Sequence, residues 1–479
     1  MSLYHSRRDF LQRSAIGLGS VALASLVASE ASADRGVSLD PINPLQPRKP
    51  HFTPTADRVI FLFQYGSPSH LDTFDYKPEL EKLHGKPVPD SLKNNPDFKQ
   101  IIGIARNELM KSPWRFKQRG KSGLWVSDLL PATAQCADDL CVIRSMHADS
   151  NNHAPAGICM NTGVIVEGKP SMGAWVTYGL GSLNQNLPGY VILYDVGPFG
   201  GPSNWGNAFL PAAFGATQFR DEGEPVLNLT PPKELAASQR VTLDLMQALN
   251  KWHQAARPGL LELEGRIASY ELAYRMQAAA LDVGDLSNET EATKRMYGLD
   301  RKESAKYGRM CLLARRLVER GVRFVQLYNG VNDPEKYGWD AHENIQKNHG
   351  YNAAQTDVPI AGLLKDLKQR GLLERTLVVW SGEFGRTPMP DGKTGRNHNN
   401  LAFSLWLAGG GVKGGQAIGA TDSIGLHAEQ SPYTVHDLHA TILTALGIVP
   451  EQLYYESNGR QERLTGVAGS AKVMPGVLA

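Results

Sequence analysis

An α/β fold with a mostly parallel central sheet and helices on both faces is predicted by three features of the 479-residue chain. Short runs recur that are apolar on both faces, as strands buried inside a parallel sheet must be. Between them lie segments with apolar residues at intervals of three and four, the period of an amphipathic helix. Strands alternating with helices imply a sheet covered by helices rather than separate all-α and all-β parts.

The first run is Val59-Ile60-Phe61-Leu62-Phe63, left through Gln64-Tyr65-Gly66-Ser67-Pro68. Further strands are predicted at Tyr190–Tyr194, Val322–Leu327, Thr376–Trp380 and Phe403–Leu407, and helices at Leu260–Ala279, Ser304–Arg320, Val358–Arg370 and His436–Leu446. Gly371 is placed to end the third helix in the left-handed conformation and lead into the strand at Thr376. Asp437 opens the last helix, where a negative charge complements the helix dipole.

Composition narrows the function. Lys and Arg total 50 against 48 Asp and Glu, a formal charge of +2, which argues against a broad basic face for nucleic acid or anionic lipid. With 42% hydrophobic residues the chain can bury a large core, while 48 Gly and 29 Pro indicate many loops. Four Cys are too few for a disulfide scaffold. Cys136 and Cys141 are close enough in sequence to bridge, but without a Cys-x-x-Cys pair all four read as structural.

Residues 1–33 read as a twin-arginine signal peptide. Ser6-Arg7-Arg8-Asp9-Phe10-Leu11 precedes an apolar run from Ala15 to Val27, and Ala31-Ser32-Ala33 offers a cleavage site. An ordinary secretory signal and a membrane anchor are the competing readings, but the run is short and poor in large side chains for a stable span. The expected location is the periplasm or cell surface, with no membrane span once the signal is removed. Residues 34–57 read as an extended leader, and 58–479 as one catalytic-type domain.

In open α/β sheets ligands gather at the carboxyl ends of strands, so polar residues following the apolar runs carry most weight. Three such segments hold carboxylates and imidazoles: 146–155, 338–344 and 381–400. Asp340, His342, Glu383 and His398 are the expected ligands of a divalent metal ion, zinc by ligand type, with calcium, magnesium or manganese as alternatives. Each of these residues taken alone could instead cap a helix or bind backbone.

Gly66-Ser67-Pro68-Ser69-His70-Leu71-Asp72, Ser171-Met172-Gly173-Ala174-Trp175, Trp339-Asp340-Ala341-His342, Glu383-Phe384-Gly385-Arg386-Thr387-Pro388 and Asp437-Leu438-His439-Ala440-Thr441 carry a resemblance. Together they resemble the secreted domain-of-unknown-function family fifteen-oh-one, within the alkaline phosphatase and sulfatase superfamily. The resemblance implies an alkaline phosphatase-like sandwich over the mature chain.

It also implies roles for individual residues. Sulfatases carry Cys-x-Pro-x-Arg leading to Thr-Gly; here His153-Ala154-Pro155-Ala156-Gly157 leads to Thr162-Gly163, so His153 stands at the nucleophile position and Gly157 replaces the Arg. Formylglycine chemistry therefore does not carry over. The superfamily's later Asp-His pair matches Glu383-Phe384, its earlier pair resembles Asp340 and His342, with His349 as a substitute, and its lone late His matches His398. Gln64 replaces the acidic residue ending the first strand, unless Asp72 or Asp75 reaches back. One metal position is kept and one degraded, with Glu383 bridging or completing the shell.

The function expected is an exported, metal-dependent hydrolase of phosphate or sulfate esters. His153 would act as a ligand, a general acid/base or a nucleophile, and Arg386 and Arg396 would clamp a tetrahedral oxyanion. The alternative is a non-catalytic relative that binds a sulfated or phosphorylated polysaccharide or a cell-envelope partner. Other motifs fail: Gly409–Gly415 lacks the Ser or Thr of a phosphate loop and reads as a turn beside the active face, and Gly66–His70 misses the serine-hydrolase elbow.

Overall fold

The computed structural model describes Val37, Leu39 and residues 43–93, 108–255, 261–329 and 338–479. The signal-peptide reading of 1–33, part of the leader and Leu260 at the start of one predicted helix lie outside the described residues. Ten strands position the site: β1 (Arg58–Gln64), β2 (Leu140–Met146), β3 (Tyr190–Tyr194), β4 (Thr217–Phe219), β5 (Phe324–Asn329), β6 (Thr376–Ser381), β7 (Gly385–Asp391), β8 (Gly395–Asn399), β9 (Phe403–Ala408) and β10 (Gln416–Ile418). The main sheet runs β10-β2-β9-β6-β1-β5-β3-β4.

Every neighbouring pair is parallel except those made by β9, which is antiparallel to β2 and β6. Strand β1 is central, with Val59 opposite both Phe324 and Leu377. Its side chains alternate between two cores: Ile60 and Leu62 pack with Leu312, Leu363 and Val378, while Val59, Phe61 and Phe63 pack with Trp175, Leu377 and Leu438. That two-sided burial is what an uninterrupted apolar strand requires.

Seven helices matter here: α1 (His153–Thr162), α2 (Met172–Leu180), α3 (Gln239–Ala255), α4 (Leu261–Gly284), α5 (Ala305–Glu319), α6 (Ile345–Gln369) and α7 (Val435–Ala445). Helices α4, α5 and α6 feed the core on the Leu62 face, and α1, α2 and α7 the core on the Phe61 face. The sheet flanked by helices on both faces agrees with the fold class expected. Among the described residues no helix is long and apolar enough to cross a membrane.

Several local expectations need adjustment. Helix α6 starts at Ile345, thirteen residues before Val358, because Asn344 caps it and the Asn- and Gln-rich first turns conceal its period. The residues after β6 form a β7–β8 hairpin rather than a loop. Gly409 follows an antiparallel strand, so it packs against Leu373 and Thr376 at the amino end of β6, far from the carboxyl ends where it was expected. The described part of the leader is docked: Leu45 and Ala56 are buried, and Arg48 donates to the carbonyl oxygens of Thr177 and Gly179 at the end of α2. All four cysteines are free and buried. Gly371 has φ 68, and Asp437 completes a capping box with Thr434.

Candidate metal centre

The segments that follow the carboxyl ends of β1, β2, β5 and β6 meet at one site. Strand β2 leads through residues 147–152 into α1, whose first residue is His153. Asn152 caps that helix and Pro155 sits in its first turn, where a missing N–H costs nothing. Asp340 and His342 lie between Gly338 and the start of α6. Gly338 has φ 57, and a Cβ there would collide with the Tyr65 carbonyl oxygen, so the chain approaches β1 too closely for a side chain. Arg386 and His398 are direct partners across the β7–β8 hairpin.

Three imidazoles surround a single carboxylate oxygen. Asp340 Oδ1 lies 3.3 Å from His153 Nε2, 3.1 Å from His342 Nε2 and 3.3 Å from His398 Nε2. Each ring has an acceptor on its other nitrogen: Glu383 Oε1 at 2.5 Å from His153 Nδ1, Asp391 Oδ2 at 2.6 Å from His342 Nδ1, and the Asn151 carbonyl oxygen at 2.7 Å from His398 Nδ1. A carbonyl only accepts, and an ionised carboxylate only accepts, so Nδ1 carries the hydrogen in all three rings. In the neutral rings the Nε2 lone pairs therefore face Asp340 and one another.

This arrangement fits a cation. His342 Nε2 and His398 Nε2 are 3.0 Å apart, and two lone pairs at that separation repel unless a proton or a metal ion lies between them. The nearest donor atoms of His153, Asp340 and His398 all lie within 4.8 Å of one another. His153 Nε2 and Glu383 Oε2 are buried without a hydrogen-bond partner. Neutral imidazoles and a carboxylate are the donor set that suits zinc, and acceptors behind the imidazoles are the usual outer support of such ligands.

Arg386 and Arg396 are both fully buried. Arg386 donates through Nη2 to Asp340 Oδ1 at 2.7 Å and to the Gly66 carbonyl oxygen, and through Nε to the Ser67 carbonyl oxygen. Gly66 and Ser67 both have positive φ, 90° and 63°, so this turn holds local strain while it cradles the guanidinium. Arg396 is paired with Asp72 at 2.7 Å, and its Nη atoms reach the carbonyl oxygens of Thr387 and Met110. The two arginines thus meet protein acceptors on several sides.

Burial works against the charged form of Asp340, yet Arg386 and the three imidazoles hold its carboxyl well below the usual carboxylate range. Burial pulls the His153 pKa down, but the contacts with Asp340 and Glu383 outweigh it and leave it raised. Asp340 raises His342 directly, and burial lowers His398. Phe384 closes the floor, its ring centroid 4.8 Å from both His153 and His398, and Tyr65 stands 5.8 Å from His153.

Of the residues singled out from sequence, Asp340, His342, His398 and His153 come together at one point. Glu383 stands behind His153, bonded also to the Gly66 amide. The proposed substitutes lie elsewhere: His349 accepts from the Ser69 amide, Asp72 binds Arg396 and Ser69, Asp75 binds Thr421 and Lys77, and Gln64 is bonded to Tyr307 and Trp339. Asp391 was not singled out, because Pro390-Asp391-Gly392 reads as turn chemistry. Tyr65 and Phe199 stand beside His153 without a sequence signal beyond their position after strands.

Solved structures similar in outline include the PsFucS1 sulfatase from Pseudoalteromonas sp., at 12% identity over 87% of this chain and 74% of that chain, TM-score 0.33. The phosphonate monoester hydrolase SpPMH from Silicibacter pomeroyi gives 12% identity over 87% and 78%, TM-score 0.35, and TAB5 alkaline phosphatase 11% over 82% and 99%, TM-score 0.33. No curated relative matches the chain. The sequence model of the family described as "Protein of unknown function (DUF1501)" matches residues 56–478, and the chain belongs to that family.

Proposed function

We propose that this protein is an exported, metal-dependent hydrolase of phosphate or sulfate esters. The observation that carries the reading is the convergence of three Nε2 atoms on Asp340 Oδ1, each ring having given its Nδ1 hydrogen to an outer acceptor. His153, Asp340, His342 and His398 hold the ion, zinc by donor type, and Glu383 orients His153. When bound, a divalent ion supplies Lewis-acid polarisation of an ester oxygen.

The chain's own residues supply the rest. Glu383 and Asp391 fix the tautomers of His153 and His342, so that neither ring offers a donor at Nε2 in its neutral form. Arg386 favours the ionised form of Asp340 against the cost of its burial. Phe384 and Tyr65 keep water from the inner side of the imidazoles, which strengthens the charges there. What supports an anionic ester as substrate is the likeness of the His153 segment and of the Asp340, Glu383 and His398 loops to those of sulfatase-superfamily hydrolases. A sulfated or phosphorylated polysaccharide is such an ester. The export route rests on the twin-arginine string at Ser6–Leu11.

One observation favours a binding protein instead: His153 Nδ1 is taken up by Glu383, and no Ser, Thr or Cys occupies its place. Aryl phosphate and aryl sulfate esters tested against the zinc-loaded protein separate the readings. Turnover that His153→Ala abolishes supports the hydrolase; ester binding without turnover supports the binder.

A further inference from the structure

Helix α3 carries apolar residues on two opposite sides. At about 100° of rotation per residue, Gln239, Leu243, Met246, Gln247 and Asn250 fall on one side, and all of them are partly buried. That side meets α4: Gln239 and Leu243 line one cavity with Leu272 and Met276, Gln247 donates to Glu271, and Arg240 pairs with Glu271 and lies over the Tyr274 ring. The other side carries Val241, Leu245, Ala248, Leu249 and Trp252, all exposed, Trp252 by 78% and Val241 by 70%. An apolar stripe about 100° wide is what a helix turns toward a core. Here the contact with the rest of the chain is already made on the opposite side. Single exposed apolar residues are ordinary, but a continuous stripe along one helix marks an interaction surface.

The pattern of the stripe indicates its occupant. Val241, Leu245, Ala248 and Trp252 follow one another at steps of four, three and four, the spacing of a coiled-coil seam. Laid parallel to a copy of itself, the seam would set Trp252 against Trp252 and Ala248 against Ala248, crowding one layer and leaving a gap in another. Laid antiparallel, it sets Val241 against Trp252 and Leu245 against Ala248, each twice by the two-fold symmetry, so that large meets small in every layer. The flanking charges agree. Asp244 and Lys251 border the seam on the same side, both exposed, and in the antiparallel register each stands opposite the other on the second copy. A helix made to lie on a membrane would be rich in Lys and Arg beside its apolar stripe, whereas Asp244 already pairs with Arg240. We propose that α3 is a self-association surface through which two copies of this protein pair antiparallel along the Val241–Trp252 stripe. The proposal is independent of the ester-site reading. With 17 residues α3 is about 25 Å long, which buries an area at the low end for stable complexes, so the dimer should form in the micromolar range.

Sedimentation equilibrium of the full protein, from about 1 to about 100 μM, tests this. Wild type should pass from monomer to dimer across that range. Leu245→Asp should raise the dissociation constant by about tenfold or more, with unchanged circular dichroism because the position is exposed. Asp244→Lys and Lys251→Asp each put like charges opposite one another and should weaken association, while the double exchange should restore it. A monomer at every concentration, a dimer indifferent to Leu245→Asp, or a double exchange no tighter than either single variant overturns the proposal. So does a monomer that floats with phosphatidylcholine–phosphatidylglycerol vesicles and stops doing so in Leu245→Asp, which would make the stripe a lipid-facing surface.

Discussion

His342 and His398 bring their Nε2 atoms to 3.0 Å of one another while each ring has an acceptor on its Nδ1. Such a pair is stable when a proton or a metal ion lies between the two nitrogens. Asp340 beside both rings favours a positive charge there, and Arg386 behind Asp340 favours its ionised form.

The outer acceptors set the ligand orientation. Asp391→Ala and Glu383→Ala each remove the partner of an Nδ1 hydrogen without removing a ligand nitrogen. Zinc affinity, measured by chelator competition, should fall by about 10- to 100-fold in each. Glu383→Gln keeps an acceptor oxygen for Nδ1 and should lose less than Glu383→Ala.

Arg386 is structural as well as electrostatic. Its removal leaves the Asp340 charge and the carbonyl oxygens of Gly66 and Ser67 without their donor inside the protein. Arg386→Met should cost about 3 kcal/mol or more in urea unfolding, the range for breaking a buried ion pair. His342→Ala, at a half-exposed side chain, should cost much less while weakening zinc binding.

Metal binding should be proton-linked. Burial lowers the His153 pKa but Asp340 and Glu383 raise it further, and Asp340 raises that of His342, so both rings hold protons to higher pH than an isolated histidine. A metal must displace those protons. Zinc affinity should fall as pH drops through neutrality, with proton release seen as a buffer-dependent heat in calorimetry. An affinity constant from pH 8 to pH 6 contradicts the assigned ligands.

A separate acid sensitivity comes from His439 in α7. Its Nε2 donates to the Met160 carbonyl oxygen, and complete burial pushes its pKa down to about 3. The unfolded chain protonates this ring near 6.5, whereas the folded protein resists until about 3. Stability should therefore be full above pH about 6.5 and decline as pH falls toward 3, at up to about 1.4 kcal/mol per pH unit. His439→Gln should flatten that part of the unfolding-versus-pH curve.

The sequence carried the fold wherever burial alone defines an element. Val59–Phe63 and Thr376–Trp380 read as buried strands because both faces are apolar, and the structure has them side by side at the centre. An apolar run has no direction, so the antiparallel sense of β9 was illegible, and with it the position of Gly409. Asp340, His342, Glu383 and His398 were legible as strand-exit polar residues. Asp391 was hidden in a turn, and the burial of Arg386 and Arg396 was hidden because the β7–β8 hairpin looks like two loops.

Equilibrium dialysis against zinc, with elemental analysis of the full protein, tests the centre most directly. Wild type should retain zinc at micromolar free metal, while His398→Ala and Asp340→Asn, folded to the same extent by circular dichroism, should lose it. Zinc content unchanged in both variants, or absent from the folded wild type, would contradict the site.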